Sequence, residues 1–521
     1  MELHNAVKLH GSMNAAAKAL GMPPTSFRRK LEKERKDAIK AFSMPPAIKL
    51  ELEPGESVRH FIITSAQDKT SVHLDFWNNL KAYAEYLNAE ILIGGFTYSK
   101  KLFTESDPTF RSDDVWFAEE IDDYIIHDPV KLGDNVVFCA EMNTLPTAVQ
   151  PLSGLETYTK DKWGIFPHAK IQLRSIATMK HALAKQIMTT GAVTMPNYLR
   201  KKAGVKAEFH HQIAAVIVTI TDDAFFCRHL HATSLEDGSF YDMDRLVADG
   251  AVTSGHSPIA IVHGDVHIEK VDADVAYATW GYDPVMQERS YIRESLTDLL
   301  KPTYRIFHDL IDFSARNHHN INDHHFRMKL FYHGGDSVQE DLSKASNFLR
   351  AIASAETQDV VIQSNHDNAL YRWVKETTPK NDPINYEFWL ECELECVRSI
   401  KRGHEPALFE WAMQQSGIDD VGFINEDDTF MLHDVELAIH GHRGANGARG
   451  SAIAFAKMGP KSITGHTHSP SITDGHMCVG TNSKLDMGYN KGLSSWSHTN
   501  AILYPNGQRT LITLSGGRWS E

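Results

Sequence analysis

The sequence predicts an α/β protein preceded by a small helical module, and three observations predict it. Short apolar runs rich in Val and Ile recur through the C-terminal half, and each runs into Asp, Asn or His. Between residues 57 and 250, strand-like and helix-like stretches alternate. The first 42 residues carry helical periodicity, a Gly-Met-Pro-Pro break at 21–24 and no strand pattern.

In chain order, residues 5–21 read as a helix and Gly21 to Pro24 as a turn. A second helix follows, capped by Thr25 or Ser26. Ala17, Gly21 and Phe27 stand where a helix-turn-helix wants a small residue, a turn glycine and a core side chain. Residues 1–42 therefore resemble helix-turn-helix DNA-binding modules. The resemblance implies that Arg28, Arg29, Lys30 and Lys33 meet phosphates or base edges of DNA. The plainer alternative is a helical hairpin with a solvated charged face. Residues 43–56, with Pro45-Pro46 and Pro54-Gly55, read as a linker.

Over residues 57–250 the expected elements are strands at Val58–Thr64, Glu90–Thr97, Asn135–Ala140 and Gln212–Thr221 and helices at Asp75–Leu87 and Ala177–Thr189. Phe76, Leu80, Tyr83 and Leu87 share one helical face. No motif marks this region, which is either a domain of its own or an extension of the C-terminal half.

The C-terminal half carries the chemistry. Ile259–Val262 runs into Asp265 and His267, and Thr303–Phe307 into Asp309 and Asp312. Asp359–Ile362 runs into Asn365, His366 and Asp367, Val435–Ile439 into His440, and Lys461–Thr464 into His466 and His468. Carboxyl ends of buried strands are where open α/β sheets bind ligands, and Asp with His suits a divalent metal.

In this order, Asp265-Val-His267, His308-Asp-Leu-Ile-Asp312, Ser364-Asn-His-Asp367, His440-Gly and Gly465-His-Thr-His468 resemble the motifs of the calcineurin-like metallophosphoesterase superfamily. The resemblance covers residues 256–521, with His308 and Ser364 where the family has glycine. It implies a four-layer α/β/β/α sandwich holding two divalent metal ions, Mn²⁺ first, with Mg²⁺, Zn²⁺ or iron as alternatives. It places Asp265, His267, Asp309 and His468 on one ion and Asp309, Asn365, His440 and His466 on the other. A metal-bridging hydroxide would attack the phosphodiester. His366 would stabilise charge or protonate the leaving oxygen, oriented by Asp367.

Asp336 competes with Asp309 as the bridge, because Met328–His333 reads as a strand ending in Gly-Gly-Asp. Asp309 is preferred, because Asp309-x-x-Asp312 reproduces the paired carboxylates; Asp336 then caps a helix from Ser337 to Ala355. His318, His319, His324 and His325 lie between the two candidates and could line the site. His440 is preferred over His442. Arg443 and Arg449, in the glycine-rich loop 441–450, could hold a substrate phosphate, or the loop is plain. An insertion at about 377–428, with helices Tyr386–Arg402 and Phe409–Gln415, could cap the site. Asn506-Gly507 marks a closing hairpin.

Composition bounds the function. The net charge of −14 argues against a general basic coat for nucleic acid, and the apolar runs are too short to span a bilayer. Five cysteines in 521 residues suggest a reducing, cytoplasmic setting. The first expectation is a metal-dependent DNA nuclease, able to form a homo-oligomer and without a membrane partner. The alternatives are a phosphodiesterase or phosphatase acting on a small molecule or phosphoprotein, and a DNA-binding regulator with an inactive phosphoesterase fold.

Overall fold

The computed structural model describes the chain except residues 1–2, 11–12, 42–46, 99–114, 181 and 318–320. It falls into two units, Met1–Ile48 and Lys49–Glu521.

The described residues of the first unit form three helices, Leu3–His10, Met13–Ala19 and Pro24–Ala41, where two were expected. Ala6, Ala16, Ala17 and Phe27 are fully buried and form its core. Gly21, at φ 61°, ends the second helix, and the Met22 amide donates to the Ala17 carbonyl at 2.9 Å. The third helix begins at Pro24, which suits a first helical position, so Thr25 and Ser26 lie inside it rather than capping it.

The second unit is a mixed α/β assembly. Six strands form one sheet in the order Gly422–Ile424, Gln358–Ile362, Tyr304–Phe307, Ala260–Val262, Thr499–Leu503, Arg509–Thr513. The first four are mutually parallel, so their carboxyl ends emerge along one edge. The last two form the expected hairpin around Gly507. Helices including Val338–Ile352, Ala369–Glu376 and Leu408–Gln415 share a core with this sheet through Phe307, Phe348 and Trp373.

A second, eleven-stranded sheet takes strands from both halves of the chain. Gln172–Ile176 pairs antiparallel with Ser471–Thr473, with Leu173 opposite Ile472. One apolar cluster holds Phe61 and Val216 together with Val262, Ile306 and Ile463. Residues 57–250 therefore extend the unit that carries the C-terminal motifs.

Three expectations are corrected. Ile48–Leu50, inside the expected linker, is a strand, and the Leu50 carbonyl accepts the Gly133 amide at 2.9 Å. Within 177–189, where a helix was expected, Thr178–Met179 and Lys185–Thr189 are strands. Lys185–Thr189 is buried throughout and paired on both edges, so packing on both faces erases the alternation that identifies a strand. Met328–His333, expected as a strand, lies in the helix His324–Tyr332 and its C-cap, started by Asp323, whose carboxylate accepts the amides of His325 and Phe326. No helix among the described residues is long and apolar enough to cross a membrane.

Candidate metal centre

The loops after the parallel strands converge on one buried cluster. Asp265 follows Ala260–Val262, Asp309 follows Tyr304–Phe307, and Asn365 and His366 follow Gln358–Ile362. From the other sheet, His440 lies beyond Val435–Glu436, and His466 and His468 beyond Lys461–Thr464. His267, Asp309, His466 and His468 have left-handed backbones, with φ of 44°, 43°, 74° and 55°. Such conformations are costly for residues with side chains and gather at functional sites. They are held by long-range contacts: the His267 amide donates to the Asp309 carbonyl at 2.8 Å, and the His466 amide to the Asp265 carboxylate at 2.8 Å. Gly465 is required, because a Cβ there would lie 2.2 Å from Asp265 Oδ1.

The side chains meet in two groups that share Asp309. Ligand atoms of Asp265, His267, Asp309 and His468 lie within 4.8 Å of one another, and so do those of Asp309, His440 and His466. His468 Nε2 is 3.0 Å from Asp265 Oδ2 and 3.1 Å from His267 Nε2. His440 Nε2 is 3.3 Å from Asp309 Oδ2 and 3.0 Å from Asn365 Oδ1. A third group adds Asp312 and His366 beside His267.

This donor set fits cations. Asp265, Asp309 and Asp312 are buried carboxylates, and Lys270 Nζ lies 2.6 Å from Asp312 Oδ2. Asp265 Oδ1 is buried without a hydrogen-bond donor. Two imidazole nitrogens facing each other at 3.1 Å cannot both carry a proton there, and buried carboxylates are costly without a positive partner. Carboxylate oxygen with imidazole nitrogen suits Mn²⁺, Zn²⁺ or iron.

The protein's own charges are strongly coupled. Burial opposes ionisation of Asp309, but His440 and His366 hold its carboxyl well below the usual range. Burial pulls His440 down, but Asp309 and Asp265 lift it to about 9. His466 is pushed down to about 4 by burial and then by His440. Burial, reinforced by Asp309, raises Asp367 to about 7.

Other expected residues fall in different places. His366 stands by the cluster with Nδ1 3.1 Å from the Asp312 carbonyl. Asp367 does not orient it: its carboxylate turns inward and accepts from the Leu310 and Ile311 amides and the Ser364 hydroxyl. Asp336 is not in the cluster, because it pairs with buried Arg316; the cap of helix Val338–Ile352 is Ser337. Arg443 pairs with Glu426 at 3.0 Å beside a cavity of about 520 Å³ that His440 and His442 also line, whereas Arg449 is exposed and outside that lining. His324 and His325 are exposed; His318 and His319 lie outside the described residues. Arg28, Arg29, Lys30 and Lys33 are exposed on Pro24–Ala41 of the first unit.

Sequence reasoning missed Glu269, Lys270 and Trp496. Glu269 accepts the Asp312 and Phe313 amides at 2.7 and 2.9 Å, and the Trp496 ring packs 4.2 Å from that of His468. Adjacency to Asp265-Val-His267 is the only signal the first two give.

Fold and site together define an α/β protein with a buried carboxylate–imidazole cluster at strand ends. No family model matches the chain. It is 36% identical over 473 residues to Protein A1 of Escherichia phage T5, a match covering 88% of this chain and 83% of that one. The chain belongs to the family of that protein.

Proposed function

We propose that this protein is a two-metal-dependent phosphodiester hydrolase that cuts DNA, built on the calcineurin-like four-layer sandwich. The observation that carries this reading is the pair of buried Asp/His groups sharing Asp309. Asp265, His267, Asp309 and His468 would hold one ion, and Asp309, Asn365, His440 and His466 the other. When bound, the ions supply Lewis acidity to the phosphate and lower the pKa of water. The left-handed loops fix the ligand atoms in advance. His366 keeps a proton on Nδ1, donated to the Asp312 carbonyl. Asp309 and Asp312 raise its basicity against burial, so its imidazolium can donate from Nε2 to a phosphate or leaving oxygen. The exposed cations of Pro24–Ala41 support DNA as substrate through contacts to the phosphate backbone.

The test is cleavage of linear and circular DNA, single- and double-stranded, with Mn²⁺, Mg²⁺ or EDTA. Asp309→Asn and His366→Ala are the controls. Cleavage that needs metal and is lost in Asp309→Asn is expected. Removal of residues 1–45 should weaken DNA binding roughly 10-fold or more and leave bis-p-nitrophenyl phosphate turnover unchanged. Turnover of that diester with no DNA cut under any condition would sink the nuclease assignment while keeping the metal site.

A further inference from the structure

The helix Tyr386–Lys401 carries apolar side chains on its exposed face as well as on its packed one. It buries Cys392, Glu395, Cys396 and Ser399. Phe388 and Trp389 pack half-buried on the core, whereas Tyr386, Leu390, Leu394, Val397 and Ile400 are 37 to 62% exposed. At 3.6 residues per turn these five share one face about 120° wide, which half-buried Glu393 enters near one edge. A helix of a globular protein ordinarily turns such a stripe to the core, and a contiguous exposed stripe marks a contact surface.

The charges beside the stripe indicate what covers it. Along one flank lie Glu387, Glu391, Arg398 and Lys401, all exposed, with acids in the first half of the helix and bases in the second. A second copy of the same helix, laid antiparallel about a two-fold axis at Leu394, sets Glu387 against Lys401 and Glu391 against Arg398. A parallel two-fold copy carries this flank to the opposite side of the seam, so neither pair forms. Flanking charges choose partner and orientation in helix pairs, and a two-fold contact must be self-complementary. We propose that two copies of this chain associate through Tyr386–Lys401 in antiparallel fashion, with Leu394 of each copy at the axis. The association is independent of the proposed nuclease activity.

Sedimentation velocity on the full chain over micromolar concentrations is the test. The wild type should be associated. Leu394→Glu, at an exposed position, should raise the dissociation constant roughly 100-fold or more without lowering the melting temperature. Glu387→Lys with Glu391→Lys should dissociate the pair, and adding Arg398→Glu with Lys401→Glu should restore it. The five native cysteines are buried, so Leu394→Cys should give a disulfide-linked dimer in air and Tyr386→Cys should not. A monomeric wild type, association indifferent to Leu394→Glu, no restoration by the fourfold charge inversion, or cross-linking through Tyr386→Cys would each overturn the proposal.

Discussion

Gly465 is the residue on which the cluster's geometry turns. It precedes His466 and faces Asp265 so closely that any side chain displaces the carboxylate. Gly465→Ala should therefore fold but bind Mn²⁺ at least about 10-fold more weakly, as isothermal titration would show; native-like affinity would contradict the account. The strand-end residues were legible in the sequence because each sits one to five residues past an apolar run, a local signal. The partners of Asp367 were not, since the amides it accepts belong to residues 56 and 57 positions away. Nor was the Asp336–Arg316 pair, which removes Asp336 from contention.

At the scale of elements, the three-helix unit rests on few side chains. Among the described residues Phe27 is its one large fully buried side chain, packed on Ala6, Ala16 and Ala17. Phe27→Ala should cost about 3–5 kcal/mol, more than so small a core can lose. Trypsin should then cut rapidly within residues 24–41 while the melting transition of Lys49–Glu521 stays in place; persistence of the uncut module would refute this. Helix Leu74–Leu87 was legible from its 3.6-residue stripe, with Phe76, Leu80 and Tyr83 buried as expected. Lys185–Thr189 was not legible, because a strand buried on both faces has no alternation to read.

The whole second unit is held by pairings between distant parts of the chain. A chain beginning at residue 256 would lose Gln172–Ile176, the partner of Ser471–Thr473, and a large part of the shared core. It should lack a cooperative thermal transition by calorimetry; a sharp transition would show that the C-terminal part stands alone. The same core carries an acid limit. His168, His211 and His229 are pushed down to about 4, chiefly by burial. Their folded values lie below the unfolded value near 6.5, so their contribution is complete above pH 6.5 and is lost as pH falls towards 4. Each accounts for a loss of up to about 3 kcal/mol of stability between pH 6.5 and 4. His229→Gln should flatten the fall in melting temperature between pH 6.5 and 4, and an unchanged slope would exclude the effect. The interleaving of early and late strands has a consequence for synthesis. Residues 57–250 leave the ribosome long before Ser471–Thr473 exists to complete their sheet, and His466 and His468 come later than four fifths of the chain. A half-made polypeptide thus has neither a closed core nor the complete carboxylate–imidazole cluster, and both are finished only when translation is nearly over.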